Sequence, residues 1–89
     1  MKFYIGKNDI KNGKRGDAYD CPIALAVKRK LKTDNVRVNF WSITINGTKY
    51  TAPRNAKEFI YNFDARNKVK PTTINIKNVE LNEKIKKEN

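Results

Sequence analysis

The sequence predicts an α+β fold: a two-layer sandwich with a mostly antiparallel sheet and two helices on one face, in the order β-α-β-β-α-β. Three observations predict it. Apolar residues alternate with polar ones in three short stretches, recur at helical spacing in two longer ones, and the dipeptide Asn46-Gly47 marks a tight hairpin turn. The connections between these elements are short, which favours one sheet in one small domain over residues 1–80.

Phe3 and Ile5 alternate with Lys2 and Tyr4 and read as an opening strand with one buried face. Asp9 to Gly13 reads as a single helical turn stopped by glycine, and a basic loop from Gly13 to Asp20 follows. The first long helix then begins with Asp20 or Cys21 as N-cap and Pro22 in the first turn, where its missing N–H costs nothing. Ile23, Ala24, Val27 and Leu31 form one stripe that Leu25 widens. Lys28, Arg29, Lys30 and Lys32 crowd the last turns, where cations complement the helix dipole.

Val36, Val38 and Phe40 alternate, and then Trp41, Ile43 and Ile45 alternate one position out of phase. The slip predicts a β-bulge at Phe40-Trp41, or a strand covered on both faces. After Asn46-Gly47 the return strand is Lys49 to Thr51. Pro53 opens the second helix, in which Ala56, Phe59, Ile60 and Phe63 share a face. Thr72 to Ile76 reads as the last strand, with an extension to Val79, and residues 81–89 read as a charged, frayed tail.

Composition excludes more chemistry than it assigns. The 89 residues contain no histidine, which removes Ser-His-Asp and Cys-His catalysis, HExxH-type metal sites and every imidazole acid–base step. The expectation is a protein that is not an enzyme and takes no cofactor or metal. A single cysteine forms no internal disulfide, and the absence of Cys pairs leaves no zinc site. No signal peptide or membrane span is legible, so a cytoplasmic location is expected. Cys21 at a helix start, after an arginine-containing loop, has two features of a reactive thiolate. Asp17 and Asp20 beside it and the lack of a base favour a packed, structural cysteine instead.

The charge is the strongest positive signal. Twenty Lys and Arg against nine Asp and Glu give +11, concentrated as +6 in residues 1–33 and +3 in residues 54–70; residues 34–53 carry only +1. Such a field draws polyanions and weakens with salt. The expected partner is nucleic acid or another phosphate-rich ligand, held by Lys11, Lys14, Arg15, Lys28, Arg29, Lys30, Lys32, Arg54 and Arg66. Solubility alone is the competing explanation. Gly13-Lys14-Arg15-Gly16 has the glycines and cations of an anion nest, yet it lacks the spacing of a Walker A loop or a dinucleotide fingerprint. A second expectation gives Trp41 and Tyr50 the contact with a host protein, with charge only steering association.

Cys21-Pro22-Ile23-Ala24-Leu25-Ala26, preceded by a Gly/Arg loop, resembles the CPxALA helix start of small uncharacterised bacteriophage and prophage proteins. The same group has a hairpin, here Ile45 to Tyr50, a Phe-Ile-x-x-Phe-Asp helix end, here Phe59 to Asp64, and a Val-x-Pro-Thr strand, here Val69 to Thr72. The resemblance spans residues 13–76. It implies a phage setting in the host cytoplasm, where small accessory proteins bind nucleic acid or disable host enzymes and defence systems. A CRISPR nuclease, a polymerase component or a signalling nucleotide would then be the target.

Overall fold

The computed structural model describes residues 1–77, so the tail at 81–89 and the strand extension to Val79 lie outside the described residues. The fold is α+β with antiparallel sheets. Its order is β1 (Lys2–Ile5), α1 (Lys7–Asn12), α2 (Pro22–Leu31), β2 (Val36–Val38), β3 (Ser42–Ile45), β4 (Thr48–Thr51), α3 (Arg54–Asp64) and β5 (Thr72–Asn75).

The order departs from the expected one between residues 36 and 45. The chain reverses there, and β2 pairs back on β3 with Val36 opposite Ile45 and Val38 opposite Ile43. No bulge interrupts the β2–β3 pairing beside Phe40-Trp41. Asn39 makes the turn: its Oδ1 accepts the N–H of Trp41 (2.9 Å) and of Ser42 (2.8 Å), and the Ser42 hydroxyl. A short side-chain acceptor at the first turn position is what such a reversal uses. The phase slip in the sequence is thus the signature of a two-residue hairpin tip, Phe40-Trp41. At the next hairpin, Asn46 (φ 49°) and Gly47 (φ 86°) have the paired positive φ values of a type I′ turn.

The single expected sheet is two: β1 pairs with β5, and β2-β3-β4 form a separate three-stranded sheet. The reason lies at the edge of β1. Its outward carbonyls at Lys2 and Tyr4 accept hydrogen bonds from the Lys30 ammonium and the Arg29 guanidinium of α2. Those bonds satisfy an edge that would otherwise invite another strand. On the far side, Asn55 of α3 donates to the Thr73 carbonyl of β5 at 2.9 Å.

One hydrophobic cluster joins both sheets and the two longer helices. Phe3, Ile5 and Ile74 come from the first sheet, Ile76 from just past its end, and Val36, Val38, Ile43 and Ile45 from the second. Helix α2 contributes Ile23, Ala24, Ala26 and Val27, and α3 contributes Ala56, Phe59 and Phe63, with Ile60 packed beside them. Leu31 departs from the predicted stripe and is exposed, since it sits in the last turn beyond the core. Helix α1 is fastened at its start by Asp9, whose Oδ2 accepts the Gly6 N–H at 2.9 Å. Its end abuts α2: a Cβ on Gly13 would lie 2.5 Å from the Pro22 ring.

Candidate binding surfaces

The expected cationic set divides by use. Arg29 forms a two-pronged ion pair with Asp9, whose side chain is 4% exposed against 57% for Arg29, and it also reaches the Tyr4 carbonyl. The carboxylate's hydrogen bond and charge hold the guanidinium in its charged form, its pKa above the ordinary value. Lys30 donates to the Lys2 carbonyl and lies 5.3 Å over the Phe3 ring. Lys28 donates to the Tyr19 carbonyl and pairs with Asp20 at 3.4 Å. Three of the four α2 cations therefore bind the protein's own backbone and carboxylates.

Arg15 is also engaged internally. Its Nε donates to the Phe63 carbonyl at 3.1 Å, and its guanidinium lies 5.1 Å over the Phe63 ring. This places a cation at the C-terminal end of α3, where the dipole favours it. The adjacent Gly16 N–H is donated to Asp64 at 2.9 Å, and the Lys14 N–H to the Asp20 carbonyl at 2.9 Å. The amides that would have cradled a phosphate are thus spent on loop structure. Arg54 pairs with Glu58 one turn along α3 at 3.3 Å, a fully solvated contact. Lys11, Lys14, Lys32 and Arg66 are exposed and make no side-chain hydrogen bond among the described residues. Lys11 and Lys14 flank the end of α1, and Lys32 and Arg66 hold positive φ (53° and 66°) just past α2 and α3.

A second candidate surface lies at the tip of the β2–β3 hairpin. Trp41, at the hairpin tip, is 69% exposed. Phe40 meets it edge to face, with ring centroids 4.9 Å apart, and the Lys57 ammonium of α3 lies 4.9 Å over the indole. These contacts hold the ring against the body of the protein and leave its other side to solvent. Tyr50, in contrast, is half-buried against the core on the inward face of β4.

Beside this tip lies a groove of about 570 Å³ between the hairpin, α3 and the start of α2. Phe40, Val38, Phe59, Tyr61 and Phe63 give it apolar walls, and Asp17 and Asp64 stand among the lining residues. Asp17 accepts the N–H groups of Tyr19 and Asp20, and these bonds hold its carboxyl below the ordinary value. Cys21 also lines the groove, but its sulfur is tied up as the α2 N-cap, accepting from Ala24 N at 3.5 Å. Burial pushes the thiol pKa up, with Asp64 and Asp17 adding to the rise against the Ala24 and Ile23 amides. The protonated thiol is a packing group, not a nucleophile.

Among the described residues, no three His, Cys, Asp or Glu side chains converge as a metal site. No helix among them is long and apolar enough to cross a membrane. The residues that sequence reasoning passed over are Lys57 beside the tip, and Arg37 and Lys49 on the three-stranded sheet. Comparison with protein-family models, curated proteins and solved structures finds no match to the chain.

Proposed function

We propose that the chain is a small non-enzymatic protein that binds single-stranded nucleic acid, with Trp41 as its stacking platform. The observation that carries this reading is the Phe40-Trp41 hairpin tip. Two large aromatic side chains occupy turn positions that folding leaves open to any residue, and Trp41 is left exposed beside a cation. A supported indole on a chain of net charge +11 combines the two elements that single-strand binders use, a π-face for bases and a positive field for phosphates. The phage setting implied by the CPxALA helix start, with action in the host cytoplasm, fits such a role.

Trp41 is the only tryptophan, so it reports on its own contact. Titration with a mixed-sequence single-stranded DNA at low salt is expected to quench its fluorescence. Trp41→Ala should weaken binding by roughly 5- to 150-fold, the range of about 1–3 kcal/mol per stacked base. Absence of both quenching and binding at low salt overturns the reading.

A second reading, docking on a host protein, is favoured by the groove. Apolar walls with two carboxylates suit a partner's apolar side chain flanked by a cation and repel phosphate. Under that reading Tyr61→Ala abolishes capture of the partner even in high salt.

A further inference from the structure

Strand register brings together two cations that lie far apart in the sequence. Arg37 of β2 is opposite Thr44 of β3, and Thr44 is opposite Lys49 of β4. Residues directly opposite on neighbouring strands project from the same face, so the three form one row across the sheet. Two strand spacings set its width at about 10 Å. The other face buries Val36, Val38, Ile43 and Ile45, which leaves the row to solvent; Arg37 and Lys49 are exposed and Thr44 half-buried. Between Asp34 and Glu58 the chain has no carboxylate. Neither Arg37 nor Lys49 makes an ion pair among the described residues, in contrast to Lys28 and Arg29.

We propose that this sheet face binds the phosphate backbone of a single-stranded nucleic acid, Arg37 and Lys49 each neutralising one phosphate while the Thr44 hydroxyl donates between them. The inference rests on the nucleic-acid reading above and names its surface. Charge complementarity selects the occupant. The face offers two cations and a hydroxyl with no exposed apolar anchor of the kind that fixes a protein partner. Strand β3 begins one residue after Trp41, and Thr44 lies three residues from that indole, about 10 Å along the strand.

The test is fluorescence anisotropy with a fluorescein-labelled, mixed-sequence single-stranded DNA 20-mer across a potassium chloride series. Arg37→Gln combined with Lys49→Gln is compared with Lys68→Gln combined with Lys70→Gln, which removes the same charge from the exposed segment before β5. Each phosphate neutralised on a single strand contributes about 0.7 to the slope of log affinity against log salt. The sheet pair should flatten the slope by about 1.4 and lower affinity at low salt by roughly 10-fold or more; the control pair should do neither. Equal losses from both pairs overturn the sheet-face site and leave the nucleic-acid reading standing. No binding by the unaltered protein at any salt overturns both.

Discussion

The C-terminal half of α2 and the outer face of the three-stranded sheet use the same side chains in opposite ways. On α2, Lys28, Arg29 and Lys30 turn back to carbonyls and carboxylates, and Arg29 and Lys30 close the exposed edge of β1. On the sheet, Arg37 and Lys49 stand on either side of Thr44 with no such partner among the described residues. The denser run of charge is bonded within the fold, and the sparser pair makes no ion pair among the described residues. Counting charge along the chain ranks these regions in the reverse order, because a count does not see which acceptors surround each cation.

The largest test of this contrast is Arg29→Ala. It leaves the buried Asp9 carboxylate without its cation and the Tyr4 carbonyl without a donor. Losing one partner of a fully buried pair costs about 3–5 kcal/mol; with Arg29 more than half exposed, about 2–3 kcal/mol is expected. For a domain of this size that lowers the Tm by roughly 10–15 °C. Lys30→Ala should follow at about 1 kcal/mol, since it loses a bond to backbone and a cation–π contact. Arg37→Ala should stay within about 0.5 kcal/mol, as exposed residues without partners do. Thermal melts of the three variants rank them, and a cost for Arg37→Ala as large as that for Arg29→Ala breaks the comparison.

Smaller effects sharpen it at the groove. Asp17 holds its folded pKa below the ordinary 3.8 through the Tyr19 and Asp20 amides. Its contribution to stability is therefore complete above about pH 3.8 and is lost as pH falls through the folded value. Asp17→Asn should lower Tm at neutral pH and flatten its decline at the acid end, the two proteins converging as pH falls through the folded value. Cys21, with its raised pKa and buried sulfur, should react with a disulfide reagent at pH 8 at least about 10-fold more slowly in the folded protein than in denaturant.

Much of the fold was legible because local signals and burial agree. Pro22, the Asn46-Gly47 turn and the stripe Ala56, Phe59, Phe63 fix two helices and a hairpin before any tertiary contact is known. The reversal at Asn39 was not legible as such. A slip in alternation is common to a bulge and to a two-residue tip, and only the Asn39 side chain, which closes the turn, separates them. Division into two sheets was hidden for a different reason: it depends on Arg29 and Lys30 reaching carbonyls more than twenty residues away. The row Arg37, Thr44, Lys49 could have been read by pairing the hairpins, since the register follows once both turns are placed. Exposure of Trp41 followed from neither alternation nor charge, but from its place at a turn.

The account turns on which cations a ligand meets, and one comparison reaches that directly. Affinity for single-stranded DNA at low salt is measured for Arg37→Gln with Lys49→Gln and for Lys28→Gln with Lys30→Gln, two pairs that remove equal charge. The sheet pair should lose roughly 10-fold more affinity than the α2 pair, once both are shown to be folded at the assay temperature. An α2 pair that loses as much or more would contradict the assignment of α2 to the fold and of the sheet to binding.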